Sequence, residues 1–221
     1  MDALDQLAAP ATELLGRVDA VLAAAGAPTG HRIWPLLRRL RTLPGDAADA
    51  VLALRAAPLV EAGDATRRAL RGYDEAHLAL SGDLSWQGPA AEAFAARCGG
   101  LDAYLADGPE SLTGRVHATA AYAEAVAEWI IRTRGDLART LGDVLGSAEA
   151  VTVVVAPRPV AASTSAAPAA AEIGARVLAT VAEAYAEAAE LPGRWAPALA
   201  EVAYRPSRVA PARFDAGRIV R

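Results

Sequence analysis

The sequence predicts an all-α fold: an antiparallel helical hairpin with additional N- and C-terminal helices packed as a bundle. Three observations lead there. Apolar residues make up 53% of the 221-residue chain but aromatics only 5%, so helix faces must meet through Ala, Leu and Val, which favours closely spaced helices over a bulky core. Two long stretches repeat apolar or small residues at alternating steps of three and four. Between them, Ser85-Trp86-Gln87-Gly88-Pro89 is the sharpest turn signal in the chain. The length suits one domain or one and a half. Four segments are expected: an N-terminal helical segment over 1–44, the hairpin over 45–150, an extended linker over 151–168, and C-terminal helices with a basic tail over 169–221.

Residues 2–24 carry Leu4, Leu7, Leu14, Leu15, Val18, Val21 and Leu22 at helical spacing, and Pro10 kinks this helix or sets its start. After the loop at Gly26-Ala27-Pro28-Thr29-Gly30, His31 to Arg41 reads as a short helix. It has Trp34, Leu36, Leu37 and Leu40 on one face and a solvated face of Arg38, Arg39 and Arg41. Leu43-Pro44-Gly45-Asp46 stops it, with Asp46 as the next N-cap. Helix is then expected from Ala47 to Leu84, with a break at Pro58 and a seam of Leu59, Ala62, Thr66, Ala69, Tyr73, Ala76 and Leu80.

At the turn, Gly88 accepts backbone angles closed to other residues, and Pro89 suits a first helical position. Glu92 in the first turn favours the positive helix end. Residues 89–106 form the next helix, with Phe94 and Leu101 as its large apolar anchors and Cys98 among its apolar residues. Asp107 to Ser111 break it. Helix resumes to about Leu145 with a seam of Val116, Thr119, Ala123, Val126, Ile130, Thr133, Leu137, Thr140 and Val144. Trp129, Ile131, Leu141 and Leu145 widen this helix beyond one seam, so it should bury a second face against the terminal helices or another subunit. Val151 to Val155 is β-branched and strand-like. Residues 169–191 are helical, Pro192-Gly193 breaks them, and Trp195 to Val202 forms a last short helix. A flexible tail follows, with Arg205, Arg208, Arg213, Arg218 and Arg221 against Asp215.

Trp86-Gln87-Gly88 with Ala90, Ala91 and Phe94 behind it resembles the turn of the WXG family, small helical-hairpin proteins tied to type VII (ESX) secretion in actinobacteria and their relatives. The resemblance spans roughly residues 59–148. Every basic side chain apart from histidine is arginine, a bias that suits a GC-rich actinobacterial genome. The resemblance implies pairing with a sister WXG-type hairpin or a second copy, and handling by the secretion ATPase. In that family the turn Trp belongs to a composite export signal, a role carried here to Trp86 and Gly88. Its other half, a tyrosine with an acid four residues on, is missing: Tyr104 is followed at that offset by Gly108, Tyr122 by Val126, Tyr185 by Ala189 and Tyr204 by Arg208. Either a partner supplies that half, or the chain is not itself exported.

The rest of the sequence argues for contact over catalysis. A net charge of −4 and a pI near 5.4 do not point to nucleic acid. The single Cys98 makes no internal disulfide and has no basic neighbour to activate it. His31, His77 and His117 are isolated, no phosphate loop or G-x-S-x-G occurs, and no carboxylate pair stands out. No catalytic, cofactor-binding or metal-ligating residue is therefore assigned, and Trp86, Gly88 and Phe94 are the candidate interaction residues. No apolar run reaches membrane-spanning length and no signal peptide is recognisable. The expected protein is thus made in the cytoplasm and, if secreted, leaves without a cleavable signal. A cytoplasmic helical-bundle scaffold or chaperone unrelated to secretion, with Trp86 as packing, is the alternative.

Overall fold

The computed structural model describes residues 1–80, 87–106, 108–156 and 164–200. The fold is all-α, and the described residues contain no strand. In chain order the helices are α1 (Ala3–Ala25), α2 (Ile33–Leu40), α3 (Pro44–Leu52), α4 (Ala57–Leu80), α5 (Pro89–Ala106), α6 (Leu112–Leu145), α7 (Ala148–Val155) and α8 (Ala167–Leu199), with a 3-10 turn at Thr164–Ala166 ahead of α8. The chain divides into two units: Met1–Leu59 with Ala125–Pro192, and Val60–Glu124 with Gly193–Arg221. These boundaries differ from the expected segments because α4, α6 and α8 each have residues in both units.

Local chemistry explains most helix ends. Asp2 caps α1, accepting from the Asp5 amide at 3.0 Å while Asp5 accepts from the Asp2 amide, a reciprocal box. Pro10 lies inside α1 without ending it. The carbonyl it leaves without a donor belongs to Gln6, an exposed residue whose carbonyl water can serve. Arg41 closes α2 in the left-handed conformation at φ 57°. Helix α3 starts earlier than expected: Leu43 is the N-cap and Pro44 the first helical residue, which leaves Asp46 within the first turn. The break near Pro58 lies at residues 53–56, and Pro58 is inside the first turn of α4, where its missing N–H costs nothing.

Three expectations from local propensity are corrected. Val151 to Val155 is helical, not strand-like or extended. Ser147 accepts from the Ala150 amide at 3.2 Å and nucleates α7, and Ala150 and Val153 then bury on one helical face. The linker's far end is also helical, since α8 begins at Ala167. Pro192-Gly193 does not break α8, which continues to Leu199. A proline removes one bond and crowds one carbonyl, and at this exposed position the helix carries that defect.

The first unit holds the larger core. Leu14, Leu15, Val18 and Val21 of α1 meet Ile33, Val51, Leu137, Leu141 and Val144, with α7 and α8 closing the cluster. Helix α8 contributes Ala170, Ala171, Ile173, Val177, Leu178 and Val181. Its small residues admit close neighbours: a Cβ on Gly174 would lie 2.8 Å from Ile33 Cδ1 and 2.9 Å from Pro44 Cγ. The second face expected of α6 is real. Trp129 is buried, donating to the Ala184 carbonyl at 2.9 Å, and Leu141 is buried too. Ile131, expected beside them, is exposed.

Arg134 sits at the centre of this unit and is only 6% exposed. Its Nε donates to Asp2 at 2.7 Å, and Nη2 donates to Asp2 at 3.0 Å and Asp5 at 2.6 Å. Its Nη1 donates to the carbonyls of Val51, Leu52 and Leu54 at 3.3, 2.8 and 3.2 Å, the last turn of α3 and the residues after it. The Arg134 guanidinium pulls the Asp2 carboxyl down to about 2. The Asp5 carboxyl is lowered by the Asp2 amide and then by Arg134.

In the second unit, the seam of α4 is one residue out of the expected register at alternate positions. Gly63 and Leu70 are buried and His77 is half-buried, whereas Ala62, Ala69 and Ala76 are exposed. Leu59, Thr66 and Tyr73 are half-buried as expected. From Leu59 a step of four reaches Gly63 and seven more residues, two helical turns, reach Leu70, and burying leucine releases more free energy than burying alanine. A Cβ on Gly63 would lie 3.6 Å from the Ala120 carbonyl oxygen, and Arg67 pairs with Glu124 and with Asp64, so α4 lies against α6 here. On α6 the expected seam residue Thr119 is exposed and Ala120 is buried. Arg115 donates to the Pro197 carbonyl at 2.9 Å and the Ala200 carbonyl at 2.6 Å, at the end of α8, and Tyr122 meets Trp195 with ring centroids 6.2 Å apart.

Replacing Arg134 by Met should lower stability at pH 7 by about 3 kcal/mol, because three carbonyls and two acids lose their shared donor. The Asp2 pKa is depressed on folding, so its contribution is full above the ordinary value of 3.8 and is lost as pH falls through about 2. Urea melts of wild type and Arg134→Met should therefore converge as pH drops from 5 toward about 2. Gly174→Ala should destabilise by about 1–2 kcal/mol, since the rigid Pro44 ring cannot yield to the new methyl. Gly142→Ala, in open space on α6, should stabilise by about 0.5–1 kcal/mol in the same melts.

Candidate functional site

Pro89 is the first residue of α5, as its fixed φ favours. Gly88 before it has φ +107°, a conformation that disfavours any side chain although the space around it is open. Its carbonyl accepts from the Glu92 amide at 3.1 Å and starts the helix. Trp86, the other half of the corner, lies outside the described residues. Phe94 follows on the second turn of α5 and is 48% exposed. Neither it nor Leu101 is the deepest anchor of α5, because Ala91 and Leu105 are its buried apolar residues. The same unit exposes Val60 and Leu78 on α4, the latter at 71%. The structure thus describes Gly88 just ahead of α5 and Phe94 six residues further on, in a unit that leaves large apolar side chains outside.

The histidines do not assemble a metal site. His77 pairs with Asp102 of α5. His31 accepts from the Ile33 amide through Nδ1 at 3.2 Å, and its Nε2 stands 3.7 Å from Glu172. Among the described residues no group of histidine, cysteine and carboxylate side chains could hold a metal ion. Cys98 is half-buried on α5. The arginine face of α2 is partly structural: Arg39 donates to the Ala182 carbonyl at 3.3 Å and Arg38 to the Trp34 carbonyl at 3.3 Å. Arg32 beside them donates to Glu172 at 2.5 Å, and Arg32 and then Arg176 hold that carboxyl below its ordinary range.

One titratable group escaped the sequence. Asp19 of α1 faces the start of α3, where its carboxylate accepts from the Gly45 amide at 3.0 and 3.3 Å. Burial pushes its pKa up to about 6, and the nearby Asp46 and Asp49 add to the rise. The hollow around it is about 190 Å³ and is lined by these three acids, Thr12 and apolar residues, with no nucleophile or cation to complete a reacting constellation. Its signal in the sequence was weak: one Asp on an amphipathic helix, made distinctive only by α3 folding over it.

No protein-family model, curated protein or solved structure matches the chain. Among the described residues no helix is long and apolar enough to cross a membrane.

The raised Asp19 pKa gives a pH signature. Folding favours its protonated form, so this contribution is full below about 3.8 and is lost as pH rises through about 6. Asp19→Asn keeps an acceptor for Gly45 without the charge. Its melting temperature should exceed that of wild type by about 2–4 °C at pH 7.5, for about 1 kcal/mol, and match it at about pH 4 in calorimetric scans.

Proposed function

We propose that this chain is a non-enzymatic interaction protein of WXG type, working through helix–helix pairing in type VII (ESX) secretion as substrate, co-substrate or accessory factor. The observation that carries this reading is the corner ahead of α5. Gly88 stands there in a glycine-only conformation, Pro89 opens the helix, and Phe94 is half-exposed five residues beyond Pro89. Gly88, Ala90, Ala91 and Phe94 of the W-x-G-x-A-A-x-x-F pattern fall at this helix start, and Trp86 lies outside the described residues. Leu78 and Val60, exposed in the same unit, add apolar surface of the kind that a partner helix covers. The partner is a sister hairpin protein or a second copy. Because the tyrosine–acid pair is missing, the co-substrate and accessory roles fit better than autonomous export.

The test is pull-down and export of the tagged full chain in an actinobacterial host with and without the secretion ATPase. Phe94→Glu should weaken partner retention by about tenfold or more, equivalent to about 1.4 kcal/mol or above, while leaving the helical circular-dichroism signal intact. Trp86→Ala should reduce export of the complex. A partner held equally by Phe94→Glu, or export indifferent to loss of the ATPase, would sink the secretion assignment. A partner retained through Phe94 without any dependence on that apparatus would point to the scaffold role.

A further inference from the structure

A polar groove runs between α6 and α8 within the first unit, with a volume of about 380 Å³. Its walls carry Asp136 and Asp143 from α6 and Glu183 and Glu187 from α8, against Arg139 as the one lining cation. Arg139 pairs with Asp136, and Arg132 approaches Glu187 at 4.0 Å. Asp143 and Glu183 have no ionic or hydrogen-bond partner among the described residues. Hydroxyls form the floor. Thr140 and Thr180 touch at 2.9 Å across the two helices, and Thr180 also donates to the Arg176 carbonyl.

Thr133 separates this groove from an ordinary solvated helix face. It is 3% exposed and lines the groove. Thr66, Thr119, Thr152 and Thr180 each satisfy their hydroxyl on the carbonyl four residues back. The Thr133 hydroxyl has no such bond and no other protein partner among the described residues, and its oxygen is not sealed from solvent, so it is reachable from the groove. A hydroxyl that no protein group engages is open to a donor that enters the groove.

We propose that this groove binds a linear aliphatic polyamine. The carboxylates are strung along the helices and do not converge: Asp136 and Asp143 stand about 10 Å apart along α6, and Glu183 and Glu187 about 6 Å apart along α8. That spacing suits a flexible chain carrying several ammonium groups. It does not suit one divalent ion, and no metal-holding group of side chains occurs among the described residues. Each ammonium donates to a carboxylate, and one finds an acceptor in the Thr133 hydroxyl. The methylene stems lie between the helices. A basic peptide is disfavoured because the walls are helical, with backbone groups committed to the helices and none left to pair with an incoming main chain.

The experiment is calorimetric titration of spermidine into the full chain at fixed ionic strength, with melting curves alongside. Saturable binding is expected. Asp143→Asn and Glu183→Gln, both at exposed positions, should each weaken it by about tenfold, the loss of one charge-assisted bond. Thr133→Val should weaken it several-fold while leaving the ligand-free melting temperature unchanged or higher, because that hydroxyl has nothing to lose in the free protein. Spermidine affinity unchanged in Asp143→Asn overturns the proposal. So does a signal that magnesium reproduces at equal ionic strength, or displacement of spermidine by an arginine-rich peptide at lower concentration.

Discussion

The bidentate clamp of Arg134 on Asp2, with Asp5 and three carbonyls closing around the same guanidinium, is the interaction on which the first unit depends. It joins the acidic start of α1 to the carbonyl-rich end of α3 from the middle of α6. Both ends gain from it. Acids at a helix N-terminus oppose the positive end of the dipole, and a cation at a C-terminus opposes the negative end. Burying a guanidinium is tolerable only when its donors are used, and here Nε, Nη1 and Nη2 all have acceptors. The clamp places α1 and α3 so that Leu15, Val18 and Val51 bury together.

Around that clamp the packing is alanine-rich and close. Ala170, Ala171 and Gly174 let α8 approach Ile33 and Pro44, which larger residues would hold away. The second unit is built differently. Leu70, Ala91, Leu105 and Ala120 are its buried apolar residues among those described, while Val60, Leu78 and Phe94 stay outside. The lightly buried unit is also the one that carries Gly88 and Phe94. A surface with apolar side chains left over suits association, and the first unit, for all its larger core, also leaves Ile131, Val151, Val154 and Val155 outside.

The same division separates two kinds of chemistry. In the second unit the proposed activity is contact: a half-exposed Phe94 and a glycine-dependent corner offered to a partner helix. In the first unit the notable polar features lie between helices, at Asp19 over the start of α3 and in the threonine and carboxylate groove between α6 and α8. None presents a nucleophile beside a base. The groove offers hydroxyls and distributed negative charge, the features on which the polyamine proposal rests.

The sequence by itself determined the helical class, the bounds of α5 and α6 and the extent of α1, because apolar periodicity and glycine–proline punctuation act over a few residues. It placed the helix start at Pro89 and the seam from Ile130 to Val144 in the same way. Tertiary structure decided what depends on partners far along the chain. It drew Val151 to Val155 into helix by burying Val153, and carried α8 through Pro192. It turned α4 one residue so that Leu70 faced inward in place of Ala69. It also gave Arg134, Asp19 and Thr133 their character. Each looks ordinary in its own helix, and only the approach of a second helix removes its water and sets which groups it must satisfy.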